Sequence, residues 1–312
     1  MSKLVIIDSH AILHRAYHAL PKENFKRQGE PVNAVYGFFS MLLLVISELE
    51  PDYLVACFDS PGPNFRHQKF IAYQANRLKT ESDLTSQIKL TKKLVEETEI
   101  PVFIAPGFEA DDIIGTLVKK LRAKNANAKA KGKKSEIDRA IIVTGDKDLM
   151  QLVGPKADLF LLDRGVSGAS LVGPKEVKER LGVDPDQVVD YKALVGDSAD
   201  NYPGVAGIGP KTAVSLLSSF SDLNGVYQHL PKVGLKLKEK LAQGREAALL
   251  SQELARISQD VPIKLSFKKM AWDKERLLKL QSSLKDLGFR SLVNRIEKKF
   301  SVVSKNNQMK LI

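Results

Sequence analysis

Cysteine occurs once in the 312 residues, at Cys57, so no disulfide can form within the chain and the fold must rest on packing and polar contacts. That thiol lies inside the apolar run "YLVACFD" and reads as a small buried hydrophobe in a reducing compartment. Long hydrophobic stretches are missing as well. The longest, "GFFSMLLLVI" at 37–46, is too short for a membrane span and reads as a buried helix. The N-terminus passes directly into "KLVIID", a strand pattern rather than the apolar centre of a secretion signal. Histidine is scarce, at positions 10, 14, 18, 67 and 229, so no His/Cys cluster of the zinc type is present. These absences exclude a membrane-spanning protein, a disulfide-stapled secreted domain and a zinc-finger module. They leave a cytoplasmic globular protein with no membrane partner.

Acidic residues are in deficit: 37 against 48 basic, a net charge of +11. An excess of this size suits a polyanionic partner, nucleic acid before membrane. The excess is uneven. Residues 231–299 hold seventeen Lys/Arg against eight Asp/Glu, and residues 119–139 hold nine against two.

Three short apolar runs share one ending: "KLVIID" closes at Asp8, "YLVACFD" at Asp59 and "AIIVTGD" at Asp146. Each is apolar on both faces, as a central parallel strand is. Helix-length segments at 34–49 and from 110 onward separate them, which predicts a right-handed α/β sheet. "PVFIA" at 101–105 reads as a further strand. Residues 61–99 form a long excursion between two core strands, polar and basic at first, then weakly helical. Residues 122–139 are Ala/Lys-rich without an apolar face and read as a basic, flexible insertion. From about 175 the pattern is short amphipathic helices. The division expected is a core over 1–174, a helical subdomain over 175–300 and a tail over 301–312.

Acids gather where such a sheet binds ligands, beyond the carboxyl ends of its strands. Asp8, Asp59 and Asp146 would meet there, with Asp148 two residues on. "FEADDIIGTLV" places Glu109, Asp111 and Asp112 at the same edge, and "LVGDSADNY" adds Asp197 and Asp200. A single Asp after a strand commonly caps the next helix. Nine together repel one another and call for cations. Oxygen-only ligands select hard ions, Mg2+ or Mn2+ over Zn2+. Several carboxylates around two such ions is an arrangement for phosphodiester hydrolysis. A second motif, "GVAGIGPKTA" at 204–213, sets closely spaced glycines before a helix, with Lys211 adding a charge. Backbone N–H groups so placed suit the phosphates of duplex DNA, independent of sequence.

"RAYHALP", "AVYGF", "CFDSPGPNFRH", "GFEADDIIGTL", "TGDKDLMQLV" and "VGDSADNYPGVAGIGPKTA" occur in this order. Together they resemble the flap endonuclease family, in the form of the 5′-nuclease domain of bacterial DNA polymerase I, from about residue 3 to 290. The resemblance implies a PIN-like parallel-sheet core, a helical arch at about 61–99 and a helix–three-turn–helix DNA clamp. Matched by position, Asp8, Asp59, Glu109, Asp111 and Asp112 fall in the acid group holding the catalytic metal, and Asp146, Asp148, Asp197 and Asp200 lie nearer a second metal. Gly204, Gly207, Gly209, Lys211 and Thr212 fall in the clamp, where the family often holds a monovalent cation such as K+. Arg66, Lys69, Tyr73, Gln74 and Arg77 fall at the base of the arch, with Arg77 expected at the chemistry and Tyr73 expected to stack on a terminal base.

Two positions depart from the family: Ser9 stands where it commonly has Gly after the first Asp, and Gln74 stands where it has Lys, so a cation beside the scissile phosphate is missing. The activity implied is metal-dependent 5′–3′ exonuclease and flap cleavage at 5′ flaps, nicks and gaps, on DNA and RNA primers, by a monomer in the bacterial nucleoid. No polymerase or proofreading segment follows, which implies a stand-alone nuclease working beside a separate polymerase, or an excised domain. Two other classes remain: a DNA-binding module with little catalysis, suggested by Gln74, and a PIN-type ribonuclease, which the "GVAGIGPKTA" clamp disfavours.

Overall fold

The computed structural model describes residues 1–76, 81–164 and 168–308. The strands are β1 (Lys3–Asp8), the small hairpin β2 (Lys26–Arg27) and β3 (Glu30–Pro31), then β4 (Tyr53–Cys57), β5 (Val102–Phe103), β6 (Arg139–Thr144), β7 (Ala157–Arg164) and β8 (Gly168–Val172). Six of them form one sheet in the order β5-β4-β1-β6-β7-β8. The first five are parallel and β8 returns antiparallel to β7. All four predicted strands are present, although β5 is shorter than "PVFIA" suggested. The β7–β8 hairpin was not anticipated.

Helices α1 (Ser9–Ala19), α2 (Asn33–Leu49), α3 (Phe65–Lys69), α4 (Ser82–Glu97) and α5 (Ala110–Ala130) connect the strands. Successive residues of a strand face opposite sides, and β1 uses both. Leu4 and Ile6 pack with Ile113, Leu117 and Leu121 of α5. Val5 and Ile7 pack with Leu13 of α1 and with Phe38 and Phe39 of α2. Cys57 is buried in the first layer, as its apolar setting predicted.

Two expectations about the long insertions change. The excursion at 61–99 is half packed: Leu84, Leu94 and Val95 bury α4 against the core. Gln87 ties α4 to α2, its Oε1 accepting from Ala34 N at 2.7 Å, because Val32 at the start of α2 offers no side-chain cap. Residues 122–139 are not a loop throughout, since α5 continues to Ala130. Alanine and lysine are good helix formers, and a rigid apolar first half lets the polar half propagate from it.

The second half of the chain is helical, as expected: α6 (Pro174–Leu181), α7 (Val188–Val195), α8 (Pro210–Phe220), α9 (Leu223–Gln228), α10 (Leu235–Gln243), α11 (Arg245–Ala255), α12 (Lys274–Asp286) and α13 (Arg290–Gln308). It does not stay apart from the sheet. Leu280 and Leu284 of α12 and Leu292 and Ile296 of α13 join the cluster built by α1, α2 and α4. Helix α13 runs on to Gln308, into the stretch read as a tail. Among the described residues no helix is long and apolar enough to cross a membrane.

Candidate active site at the carboxyl edge of the sheet

Strand ends and helix starts bring the acids together. Asp8 closes β1 and is 3% exposed. Its Oδ1 accepts from Ala11 N at 3.2 Å and its Oδ2 from the Thr144 hydroxyl at 2.6 Å. Thr144, at the end of β6, also accepts from Asp146 N at 2.9 Å, so one hydroxyl links two strand-end acids. Asp59 follows β4. Its Oδ1 accepts from Ala110 N, the first residue of α5, at 2.7 Å, and its own N–H donates to His10 Nδ1 at 3.0 Å. Asp8, Asp59, Glu109, Asp111, Asp146 and Asp200 line one cavity of about 700 Å3, together with His10, His14, Tyr17, His18, Tyr73 and Gln74.

Crowding shows in their proton affinities. Burial first, then the charges of Asp59 and Asp146, push the Asp8 carboxyl up to about 7. Burial raises Glu109 to about 7 against the pull of Arg66, with Asp59, Asp112 and Asp200 adding to the rise. Asp111 is raised well above the carboxylate range by burial and by Asp146, Asp8, Glu109 and Asp59. Asp8, Glu109 and Asp111 hold protons tightly and share the cavity with three further carboxylates, so the site favours positive charge, and its all-oxygen donors suit hard divalent ions. As they stand, no three His, Cys, Asp or Glu side chains among the described residues are grouped closely enough to hold an ion.

Three of the nine predicted acids stand elsewhere. Asp112 is fully buried and belongs to Arg66, itself 2% exposed. The Arg66 Nη1 and Nη2 atoms each donate to Asp112 at 2.9 Å, and Nη1 donates to Glu109 Oε2 at 2.6 Å. The rest of the guanidinium donates to the carbonyls of Leu254 and Arg256 at 2.9 and 3.0 Å. Asp112 also accepts from Ser258 N at 2.7 Å, so both of its oxygens are engaged within the protein. Asp148 and Asp197 are not among the residues that line the cavity and share Lys192, a residue the motifs did not single out. Burial works against that ammonium, but Asp148 and Asp197 outweigh it and hold its pKa above the ordinary lysine range.

The segment after α3 also differs from expectation. Tyr73 is 3% exposed and packs with Val189, Tyr202, Leu254 and Ala255, so its ring face is closed to a nucleobase. Its hydroxyl instead donates to Asp200 Oδ2 at 3.1 Å. Gln74 Nε2 donates to Glu109 Oε1 at 3.2 Å and to Asp200 Oδ1 at 3.1 Å, and Gln74 N to the Asp200 carbonyl at 2.9 Å. Lys69 is half exposed and paired with Glu253 at 2.5 Å. Arg77 lies outside the described residues. Gly207, Gly209 and Lys211 are exposed at the start of α8, Thr212 is half-buried and Gly204 is buried behind them. His10, Thr144 and Lys192 were missed because each acts by supporting an acid, and no local spacing marks that.

An acid-lined cavity thus sits beyond the strand ends of a mostly parallel sheet that a helical half follows. Residues 3–182 match the family model described as 5'-3' exonuclease, N-terminal resolvase-like domain, and residues 183–277 match 5'-3' exonuclease, C-terminal SAM fold. The chain belongs to the 5′–3′ exonuclease family. Its curated relatives include the DNA polymerase I of Bacillus caldotenax, 38% identical over 95% of this chain and 32% of that protein. The thermostable DNA polymerase I of Thermus filiformis is 36% identical over 94% of this chain and 33% of that protein. The chain thus spans about a third of the length of these relatives. Among solved structures, the T5 5′-exonuclease with bound divalent metal ions (zinc) aligns with a TM-score of 0.65 at 20% identity, over 96% of this chain and 98% of that one. The catalytic core of Rad2 in complex with DNA substrate aligns at 0.57 and 17% identity, over 92% of this chain and 87% of that one.

Two predictions test this account. Arg66→Met leaves Asp112 buried without its partner and should cost about 3–5 kcal/mol in urea unfolding. Pairing it with Asp112→Leu should recover most of that loss; equal losses for the single and double variants would contradict the pairing. The second concerns pH. Burial raises the Asp8 and Glu109 carboxyls to about 7 in the folded chain, above the ordinary 3.8 and 4.5, so the folded chain binds more protons than the unfolded one between those limits. Their contribution to stability is complete below the unfolded values and is lost as pH rises through about 7. The rise in Tm on adding MgCl2 to EDTA-treated protein should therefore be larger at about pH 8 than at about pH 5.5. A rise independent of pH in scanning fluorimetry would count against a cation on these acids.

Proposed function

We propose that the chain is a metal-dependent, structure-selective 5′–3′ exonuclease and flap endonuclease. It hydrolyses phosphodiesters at 5′ flaps, nicks and gaps in DNA, and removes RNA primers, during bacterial replication and repair. The observation that carries this reading is the set of six acids lining one cavity, with Asp8, Glu109 and Asp111 raised in proton affinity. Asp8, Asp59, Glu109 and Asp111 would hold the catalytic Mg2+, for which Mn2+ substitutes, and Asp146 and Asp200 a second, with Asp148 and Asp197 behind it. When bound, such ions supply the positive charge that activates water and steadies the attacking and leaving oxygens.

The chain's own residues set the frame for that chemistry. Thr144 fixes Asp8 against Asp146. Arg66 and Gln74 hold Glu109 from two sides. The exposed glycines and Lys211 at the start of α8 would hold the backbone of the duplex. The likeness to nuclease folds and the polymerase I relatives support a DNA substrate and a polymerase acting on the same junction, as a separate chain or a linked one. A monomer in the cytoplasm is consistent with this use.

Cleavage of a 5′-labelled flap duplex with Mg2+, Mn2+ or EDTA tests the reading. A short 5′ product formed only with metal is expected. Asp111→Ala should abolish cleavage while flap binding changes little, and equal loss of both would remove Asp111 from the chemistry.

A second reading, a DNA-binding module with slow cleavage, draws on Gln74. A neutral amide bridges Glu109 and Asp200 where a cation would both pair with them and face the phosphate. Gln74→Lys should raise the single-turnover rate on the order of tenfold. An unchanged rate would show that the native amide does not limit the enzyme.

A further inference from the structure

The turn between α7 and α8 is fixed from inside. Val205 and Ile208 are buried at 3% and 4% exposure, and Gly204 N donates to Ser251 Oγ at 3.2 Å. Gly204 has φ +62, and a Cβ there would lie 2.3 Å from Gly196 N, so only glycine lets the two backbone segments meet. Ala206 and Gly207 are left outside. The outward carbonyl of Gly207 is already taken: Lys240 Nζ, from α10, donates to it at 3.1 Å. The lysine stem lies along the glycine. A Cβ on Gly207, whose φ is +76, would stand 2.8 Å from Nζ, 3.1 Å from Cε and 3.5 Å from Cδ.

The family resemblance implies a monovalent cation at the carbonyls of this turn. The residues present do not fit one at Gly207. An ammonium is close to K+ in size and carries the same charge, and here it is covalently held where such an ion would need the carbonyl. An ammonium also has three N–H donors, of which the carbonyl uses one. Lys240 is exposed, as are Gly207, Gly209 and Lys211 at the start of α8, so the remaining donors are open to a ligand there.

We propose that Lys240 is the built-in cation of this turn. Its ammonium bridges the Gly207 carbonyl and a backbone phosphate of the duplex, so the chain grips DNA without recruiting a monovalent ion. The inference rests on the reading of α8 as a duplex clamp and deepens it. Gly207 then has a second reason to be glycine: any side chain would displace the lysine.

The test is binding of the full chain to a 5′-flap duplex by fluorescence anisotropy. EDTA prevents cleavage, and KCl is compared with tetramethylammonium chloride at equal concentration. Wild-type affinity should be the same in both salts within about twofold, while Lys240→Met should bind about tenfold weaker in tetramethylammonium and recover severalfold in potassium. Lys236→Met, one turn earlier on α10, removes the same charge and should show no recovery. Melting curves of both variants confirm folding. Potassium dependence in the wild type overturns the proposal, because the turn then takes an ion despite Lys240. Lys240→Met that binds as wild type, or weakens without recovery in potassium, overturns it too. Absence of flap binding by the wild type overturns the clamp reading itself, and the role of Lys240 with it.

Discussion

Like charge crowded at one sheet edge is the constraint around which this molecule is arranged, and one buried and one half-buried cation divide the crowd. Arg66 takes Asp112 wholly and one oxygen of Glu109. Lys192 takes Asp148 and Asp197. What remains faces the cavity. A guanidinium suits the first task because its planar fork meets a carboxylate with two parallel bonds and still reaches two carbonyls. Those carbonyls belong to Leu254 and Arg256, at the end of α11, so the same group that settles the charge also ties the helical half to the core.

The acids that remain are held short of rest. Backbone N–H groups and a threonine hydroxyl orient Asp8, Asp59 and Asp146, and His10 Nδ1 lies 3.7 Å from Asp59. Stability is given up locally so that the site prefers positive charge from outside. Gln74 and Tyr73 follow the same logic at Asp200, gripping both of its oxygens with neutral donors.

Much of this was legible in the sequence, and the legible part has a physical reason. Strands ending in Asp announce themselves because burial on both faces demands an unbroken apolar run and the edge then breaks it. The opposite holds for Asp112. Its spacing is that of a helix-start acid, and only the arrival of Arg66 from a separate segment gives it a buried counter-ion. The burial of Tyr73 is hidden for a similar reason: an aromatic in a polar stretch reads as surface until α11 covers it. The long end of α5 was misread because alanine and lysine without an apolar stripe look like a loop, although an established helix carries them along.

The return of α12 and α13 to the face of α2 and α4 gives the chain a particular order of assembly. Leu280, Leu284, Leu292 and Ile296 complete a layer whose other members lie some two hundred residues earlier in the sequence. During synthesis from the N-terminus that face must wait, uncovered, while the sheet, the clamp helices and their loops emerge. Contacts so distant along the chain form late and slowly. The last helices thus act as a closing seal, and a nascent chain arrested before them would present the ribosome exit, and any chaperone near it, with an open apolar surface.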